Sequence, residues 1–204
     1  MPRSRADDDR FVSGLVLGAG GSTRLGRPKQ LLPYGGGTLL GHAVGVAREC
    51  GFEQAIVVIG GAAEDVRDGV DLAGTEVVVN SDYGEGCSSS IAAALAGVDP
   101  RCEVLVLMLG DQPGVSTDTV ATLLAGRGEA PLAVCRYDDG RGHPLAFARG
   151  VFDELADLHG DKGVWRLLER RADEVADVPV AGAIPRDVDT PEDYRAVLDE
   201  LVVS

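Results

Sequence analysis

Short apolar runs built almost wholly from Val, Ile and Leu recur along this chain, with helix-forming stretches between them. Runs that are apolar at consecutive positions belong to strands buried on both faces, the pattern of a mainly parallel sheet with helices packed on either side. The runs cover residues 11–17, 54–59, 76–79, 104–109 and 132–136, and the intervening patterns predict helices over 38–50, 62–70, 88–98 and 117–125. Thr190 before Pro191, with acids in the first turn, starts a last helix that continues to Leu201. Between them, residues 137–180 break the alternation with a Gly-rich turn, two short helical patterns and the cluster Gly160-Asp161-Lys162-Gly163. That stretch reads as an insertion on the same sheet, shaping a second half-site for an acceptor. One three-layer α/β/α domain over residues 11–204 accounts for the 204-residue chain, with 1–10 a flexible polar tail.

Charge narrows the partners. The 19 basic and 33 acidic residues give a formal charge of −14, which repels a nucleic-acid backbone, and no basic stripe offsets it. No apolar run approaches the roughly 20 residues of a membrane span, and the start MPRSRADDDR lacks the apolar segment of a secretory signal. Cys50, Cys87, Cys102 and Cys135 are widely spaced, with no zinc-like pairing, and fit small buried residues of the reducing cytoplasm. An acidic chain that binds a phosphate ligand needs a local cationic site, so clustered Arg and Lys carry information.

Such a cluster follows the first run: Leu17-Gly18-Ala19-Gly20-Gly21-Ser22-Thr23-Arg24-Leu25-Gly26-Arg27-Pro28-Lys29. Glycines let backbone N–H groups crowd around an anion, and Arg24, Arg27 and Lys29 add charge, an arrangement suited to a polyphosphate. Neither familiar phosphate loop fits. A dinucleotide fingerprint from Gly18 needs glycine where Thr23 stands, and a P-loop from Gly21 meets Arg27-Pro28 instead of Lys-Ser. Asp111 follows a fully apolar run, at the carboxyl end of a parallel strand, where open α/β sheets place ligands. There it serves as a Mg²⁺ ligand or, in the ordinary reading, as a turn acid before Gln112-Pro113. Asp187 and Asp189 alternate and would share one face of a strand, or Asp189 would help begin the last helix.

Leu17 to Lys29, continued by Gln30-Leu31-Leu32-Pro33, resembles the MobA-like NTP transferases, closest to the molybdenum cofactor cytidylyltransferase branch. The likeness continues through Asn80, Gly86-Cys87-Ser88-Ser89-Ser90, Leu109-Gly110-Asp111-Gln112-Pro113, Gly142-His143-Pro144, Gly160-Asp161-Lys162-Gly163 and Asp187-Val188-Asp189-Thr190-Pro191. Gly18, Leu25 and Cys87 depart from that branch without removing a charge or a donor.

The resemblance implies a nucleotide-diphospho-sugar transferase-like fold and transfer of NMP from an NTP to a phosphorylated small acceptor, with pyrophosphate leaving. CTP is the implied donor, because Ala19-Gly20 matches the cytidylyl branch where the guanylyl branch carries Gly-Gly; the implied acceptor is a molybdopterin-type cofactor. Arg24, Lys29 and Asp111 are then catalytic, with Mg²⁺ on Asp111 and Asp189, or on Asp187 in place of Asp189. Leu17, Gly18, Ala19, Gly20, Gly21 and Ser22 bind nucleotide, and Asn80, Ser88 and Ser89 face its base and ribose unless they are an ordinary N-cap cluster. His143, Asp161 and Lys162 bind the acceptor, and a molybdoenzyme or chaperone is the implied protein partner. A sugar-1-phosphate nucleotidyltransferase and a non-catalytic nucleotide-binding module are the alternatives.

Overall fold

All five apolar runs form strands within one residue of the predicted bounds. The computed structural model describes residues 10–22 and 24–203, so most of the tail at 1–10 lies outside the described residues, as do Thr23 and Ser204. In chain order the elements are β1 (Val12–Gly18), β2 (Pro33–Tyr34), β3 (Gly37–Thr38), α1 (Leu39–Glu49), β4 (Gln54–Ile59), α2 (Ala63–Gly69) and β5 (Glu76–Val79). There follow α3 (Cys87–Leu95), β6 (Val104–Leu109), α4 (Thr117–Arg127), β7 (Leu132–Tyr137) and β8 (Gly140–Ala148). The chain ends with α5 (Phe152–Ala156), α6 (Gly163–Arg170), β9 (Val175–Pro179) and α7 (Pro191–Val203).

Seven strands form one sheet in the order β5-β4-β1-β6-β8-β7-β9, while β2 and β3 form a separate hairpin. β1 pairs in parallel with β4 on one side and β6 on the other. Side chains alternate across the sheet. Val12, Val16, Val104 and Val106 meet α1, α2 and α4 on one face, whereas Leu15, Leu105 and Leu107 meet α3, α5 and α6 on the other. Helices on both faces give the three layers expected. A smaller cluster of Leu32, Tyr34, Leu39, Val188 and Val197 seats α7 over the end of the sheet.

The sequence shows no strand at 140–148, yet β8 runs antiparallel between β6 and β7 near the middle of the sheet. Gly140, Gly142 and Pro144 hide it, since glycine and proline weaken a strand reading. Pairing jumps from Val134↔Leu145 to Cys135↔Gly142, so His143 and Pro144 sit in an irregularity where a proline can be accommodated. β9 extends the sheet beyond β7, so residues 137–180 supply two strands of the sheet itself. Among the described residues no helix is long and apolar enough to cross a membrane.

Phe147 on β8 is 1% exposed and lies between Leu105 of β6 and Leu132 of β7. Phe147→Ala is expected to destabilise the fold by about 3–5 kcal/mol, read as a shifted urea midpoint with unchanged slope.

Candidate active site

β1 and β4 build one direction of the sheet and β6 returns on the far side of β1, so the loops after β1 and β6 flank a topological switch point. At the first of these, Gln30 is buried and its Nε2 donates to the carbonyls of Gly18 and Gly20, each at 2.8 Å. A trans peptide turns its N–H opposite to its carbonyl, so the amides of Ala19 and Gly21 point away from Gln30. Ser22 takes a left-handed φ of +51°, and its Oγ accepts the Lys29 N–H at 2.8 Å. A Cβ on Gly18 would lie 2.9 Å from Leu40 Cδ1 and 3.3 Å from the Val58 carbonyl, so packing demands this glycine. A Cβ on Gly20 would meet only Lys29 Cε, at an ordinary 3.6 Å. The fold does not require Gly20; its bare backbone opens on the cavity.

Across the switch point, Lys29 Nζ donates to Asp111 and, at 2.8 Å, to Asp189 Oδ1, while Arg24 Nη2 reaches Asp189 Oδ2 at 2.9 Å. Burial alone would draw the Lys29 ammonium down, but Asp111 and Asp189 together hold it above the ordinary lysine value. Asp189 is held low, first by its hydrogen bond from Lys29. Asp187 goes the other way: burial, then the charges of Asp111 and Asp189, push it up to about 6. The 187–189 segment is irregular rather than a strand. Val188 is nevertheless buried between the two acids and donates its N–H to the Asp111 carbonyl at 3.0 Å, which fixes both beside β6. Thr190 and Asp193 cap α7 reciprocally, at 2.9 and 3.2 Å. The helix start therefore does not need the Asp189 carboxylate. Three oxygen-donor acids suit a hard divalent cation. Among the described residues they form no ready-made cluster of metal ligands, and Lys29 bridges Asp111 and Asp189.

The opposite wall comes from the stretch after β7. His143, set in the irregularity of β8, faces a cavity of about 500 Å³ that the glycine loop, Lys29 and the acids also line. Its ring meets Trp165 of α6 edge-on, centroids 5.5 Å apart, and burial pulls its pKa down to about 4. Arg141 lines the same wall, held by both oxygens of Asp177 at 2.7 and 2.6 Å. Asp161 joins this wall to the start of α3: its Oδ1 accepts the Cys87 N–H at 3.1 Å, and Ser88 Oγ donates to the Gly160 carbonyl at 2.6 Å. Gly86, at φ +101°, has no room for a Cβ, which would lie 2.7 Å from Asp161 Oδ1.

Residues 14–175 match the MobA-like NTP transferase domain. The chain belongs to that family. This MobA-like NTP transferase superposes on the crystal structure of an Rv0371c homologue from Mycobacterium sp. strain JC1 with a TM-score of 0.89 and 53% identity, covering 94% of this chain and 97% of that one. The Mycobacterium tuberculosis H37Rv Rv0371c structure in complex with manganese gives 0.84 and 48%, covering 93% and 98%. A nicotine blue oxidoreductase from Paenarthrobacter nicotinovorans is 33% identical over 169 residues, 78% of this chain and 82% of that protein. Nucleotidyl transfer is the activity this membership supports.

Of the residues the sequence singled out, Leu17, Gly18, Ala19 and Gly20 line the cavity with Lys29 and Asp111, and so do His143, Asp161 and Asp189. Gly21, Ser22 and Arg24 border a smaller hollow beside it with Gly20, Lys29 and Asp189. Four residues are not on the cavity wall. Asn80 Nδ2 donates to Ser89 Oγ at 2.9 Å and to Ser90 Oγ at 3.0 Å, and Ser88 is engaged with Gly160, so Asn80, Ser88 and Ser89 serve one another and the backbone. Lys162 is exposed at the start of α6 and does not line the cavity; Arg141 is the cation on that wall. Sequence reading passed over Gln30, Gln112, Arg141 and Trp165 as site residues. Gln30 and Gln112 stood inside the quoted motifs, each an amide beside a charged site residue, while Arg141 and Trp165 carried no signal. The cysteines are free thiols among the described residues, and burial pushes Cys87 up to about 11, far from a nucleophilic thiolate.

His143 is expected to stay neutral at pH 7 and to take its proton only near pH 4. An NMR titration of the imidazole C–H signals, assigned with His143→Gln, checks this. The unfolded chain protonates first, so the stability present above about pH 6.5 is lost as pH falls toward 4, and His143→Gln lacks that part of the slope.

Proposed function

We propose that this chain transfers an NMP unit from an NTP, with CTP preferred, to a phosphorylated small acceptor and releases pyrophosphate. The observation that carries the reading is the meeting of Lys29, Asp111, Asp187 and Asp189 with an open glycine loop in one cavity at the switch point. The amides of Ala19 and Gly21, with Lys29 and Arg24, hold the phosphates that leave as pyrophosphate. Asp111 and Asp189, with Asp187 beside them, would hold a divalent cation, which would neutralise phosphate charge; the M. tuberculosis relative was solved in complex with manganese. Mg²⁺ suits the same oxygen donors. Arg141 and His143 orient the acceptor so that its phosphate oxygen attacks the α-phosphorus in line; positioning and charge do the rest.

An acceptor of sugar-phosphate type is the first reading. A pterin phosphate is the second reading, supported by the aromatic Trp165, which lines the cavity edge-on to neutral His143. The name of the Paenarthrobacter relative raises redox chemistry as a rival. Against it, Thr23 stands where a dinucleotide fingerprint needs its third glycine. A pyrophosphate-release screen of the four NTPs against hexose phosphates and pterin phosphates tests the proposal. No release with any pair, with or without Mg²⁺ or Mn²⁺, overturns it.

Within that screen, Asp111→Asn is expected to abolish turnover while the protein stays folded by circular dichroism. Arg141→Ala is expected to raise the acceptor KM with NTP affinity nearly unchanged. The CTP preference rests on the resemblance of Ala19-Gly20 to the cytidylyl branch, since the Ala19 Cβ is buried toward Gly60. CTP is expected to win a competition against equimolar GTP; dominant GMP transfer removes the cytidylyl preference.

A further inference from the structure

We propose that the ring of Tyr83 is the face on which the base of the nucleotide stacks, and that Asn80 and Ser89 are positioning residues for the loop that carries it. The inference rests on the NTP reading above. Tyr83 is 38% exposed, lines the cavity and belongs to none of the three hydrophobic clusters. Its ring lies instead against bare backbone. A Cβ on Gly61 would be 3.0 Å from ring atoms Cε2 and Cζ, and one on Gly21 would be 3.4 Å from Cε2. One side chain thus bridges the loop after β1 and the turn after β4, which the Gly61 N–H also ties to the Ala19 carbonyl at 3.4 Å.

Position assigns this ring to the base rather than to the acceptor. Gly20 borders Lys29 and Gly21 borders Tyr83, so the cation for the phosphates and the aromatic face flank consecutive residues of one loop. Trp165, the other aromatic on the cavity, stands on the α6 wall against His143.

The loop is fixed at both ends. The Asn80 N–H donates to the Ile59 carbonyl at 2.8 Å, its Oδ1 accepts the Asp82 N–H at 2.9 Å, and Ser89 Oγ donates to the Asp82 carbonyl at 2.9 Å. At the far end Gly86 is clamped against Asp161. A ring held this way loses little freedom when a base settles on it, which is the advantage of a preorganised site. The same network explains why Asn80 and Ser89 stand behind the cavity wall: they set the backbone on either side of Tyr83.

The test measures calorimetric binding of CTP and of inorganic tripolyphosphate, both with Mg²⁺, to the wild-type protein, Tyr83→Ala and Tyr83→Phe. Stacking on an aromatic side chain is sensitive to alanine substitution and tolerant of base identity. Tyr83→Ala is expected to weaken CTP about tenfold, with tripolyphosphate affinity unchanged and Tyr83→Phe close to wild type for both. Equal weakening of both ligands in Tyr83→Ala, undiminished CTP binding, or a Tyr83→Phe loss as large as that of alanine each overturns the inference while leaving the NTP reading intact. A wild-type protein that binds neither ligand overturns the NTP reading and this inference together.

Discussion

Parallel pairing of β1 with β4 and β6 dictates where chemistry can occur in this molecule. A strand paired in parallel on both sides cannot connect to either neighbour by a tight turn, so each crossover leaves over a helix and the loops collect at the strand ends. Glycines let those ends approach closely. A Cβ on Gly110 would lie 2.6 Å from Leu40 Cδ1 and 3.0 Å from the Leu17 carbonyl. The glycine loop and Asp111 are therefore brought side by side by the sheet itself, before any charged group interacts.

The charges then solve a problem that composition poses. A protein with a formal charge of −14 must hold a polyphosphate without a basic surface. Here the cations are few and internally engaged: Lys29 is shared by Asp111 and Asp189, and Arg141 is gripped by Asp177. Pairing holds each side chain at one place and limits the desolvation cost of a buried charge. Asp187 is the acid of the group with no cation of its own among these contacts, and its raised pKa records burial first and the charges of Asp111 and Asp189 second.

The parallel frame was legible in the sequence because burial on both faces writes itself as unbroken apolar runs. β8 was not, since its turn glycines and Pro144 obscured a strand whose inner half, Leu145 to Ala148, is largely apolar. The loop cations and Asp111 could be read because charged residues directly after apolar strands are conspicuous. Asn80, Ser88 and Ser89 stand off the cavity wall for a general reason. Sequence shows which side chains can hydrogen-bond but not which will satisfy one another, and these three are engaged with protein partners. Lys162 and Arg141 make the same point for charge: both lie in the 137–180 stretch, and only the fold says which faces inward.

The junction between Gly86–Ser88 and Gly160–Gly163 has a consequence for how such a protein changes over generations. A Cβ on Gly86 would run into Asp161, and one on Gly163 would lie 2.4 Å from Ser88 Oγ. The two stretches are far apart in the chain but fit as one interlocked seam. A replacement for the later stretch must therefore arrive with a compatible start of α3, and a chimera joined between residues 88 and 160 brings together two sides of this seam from different parents.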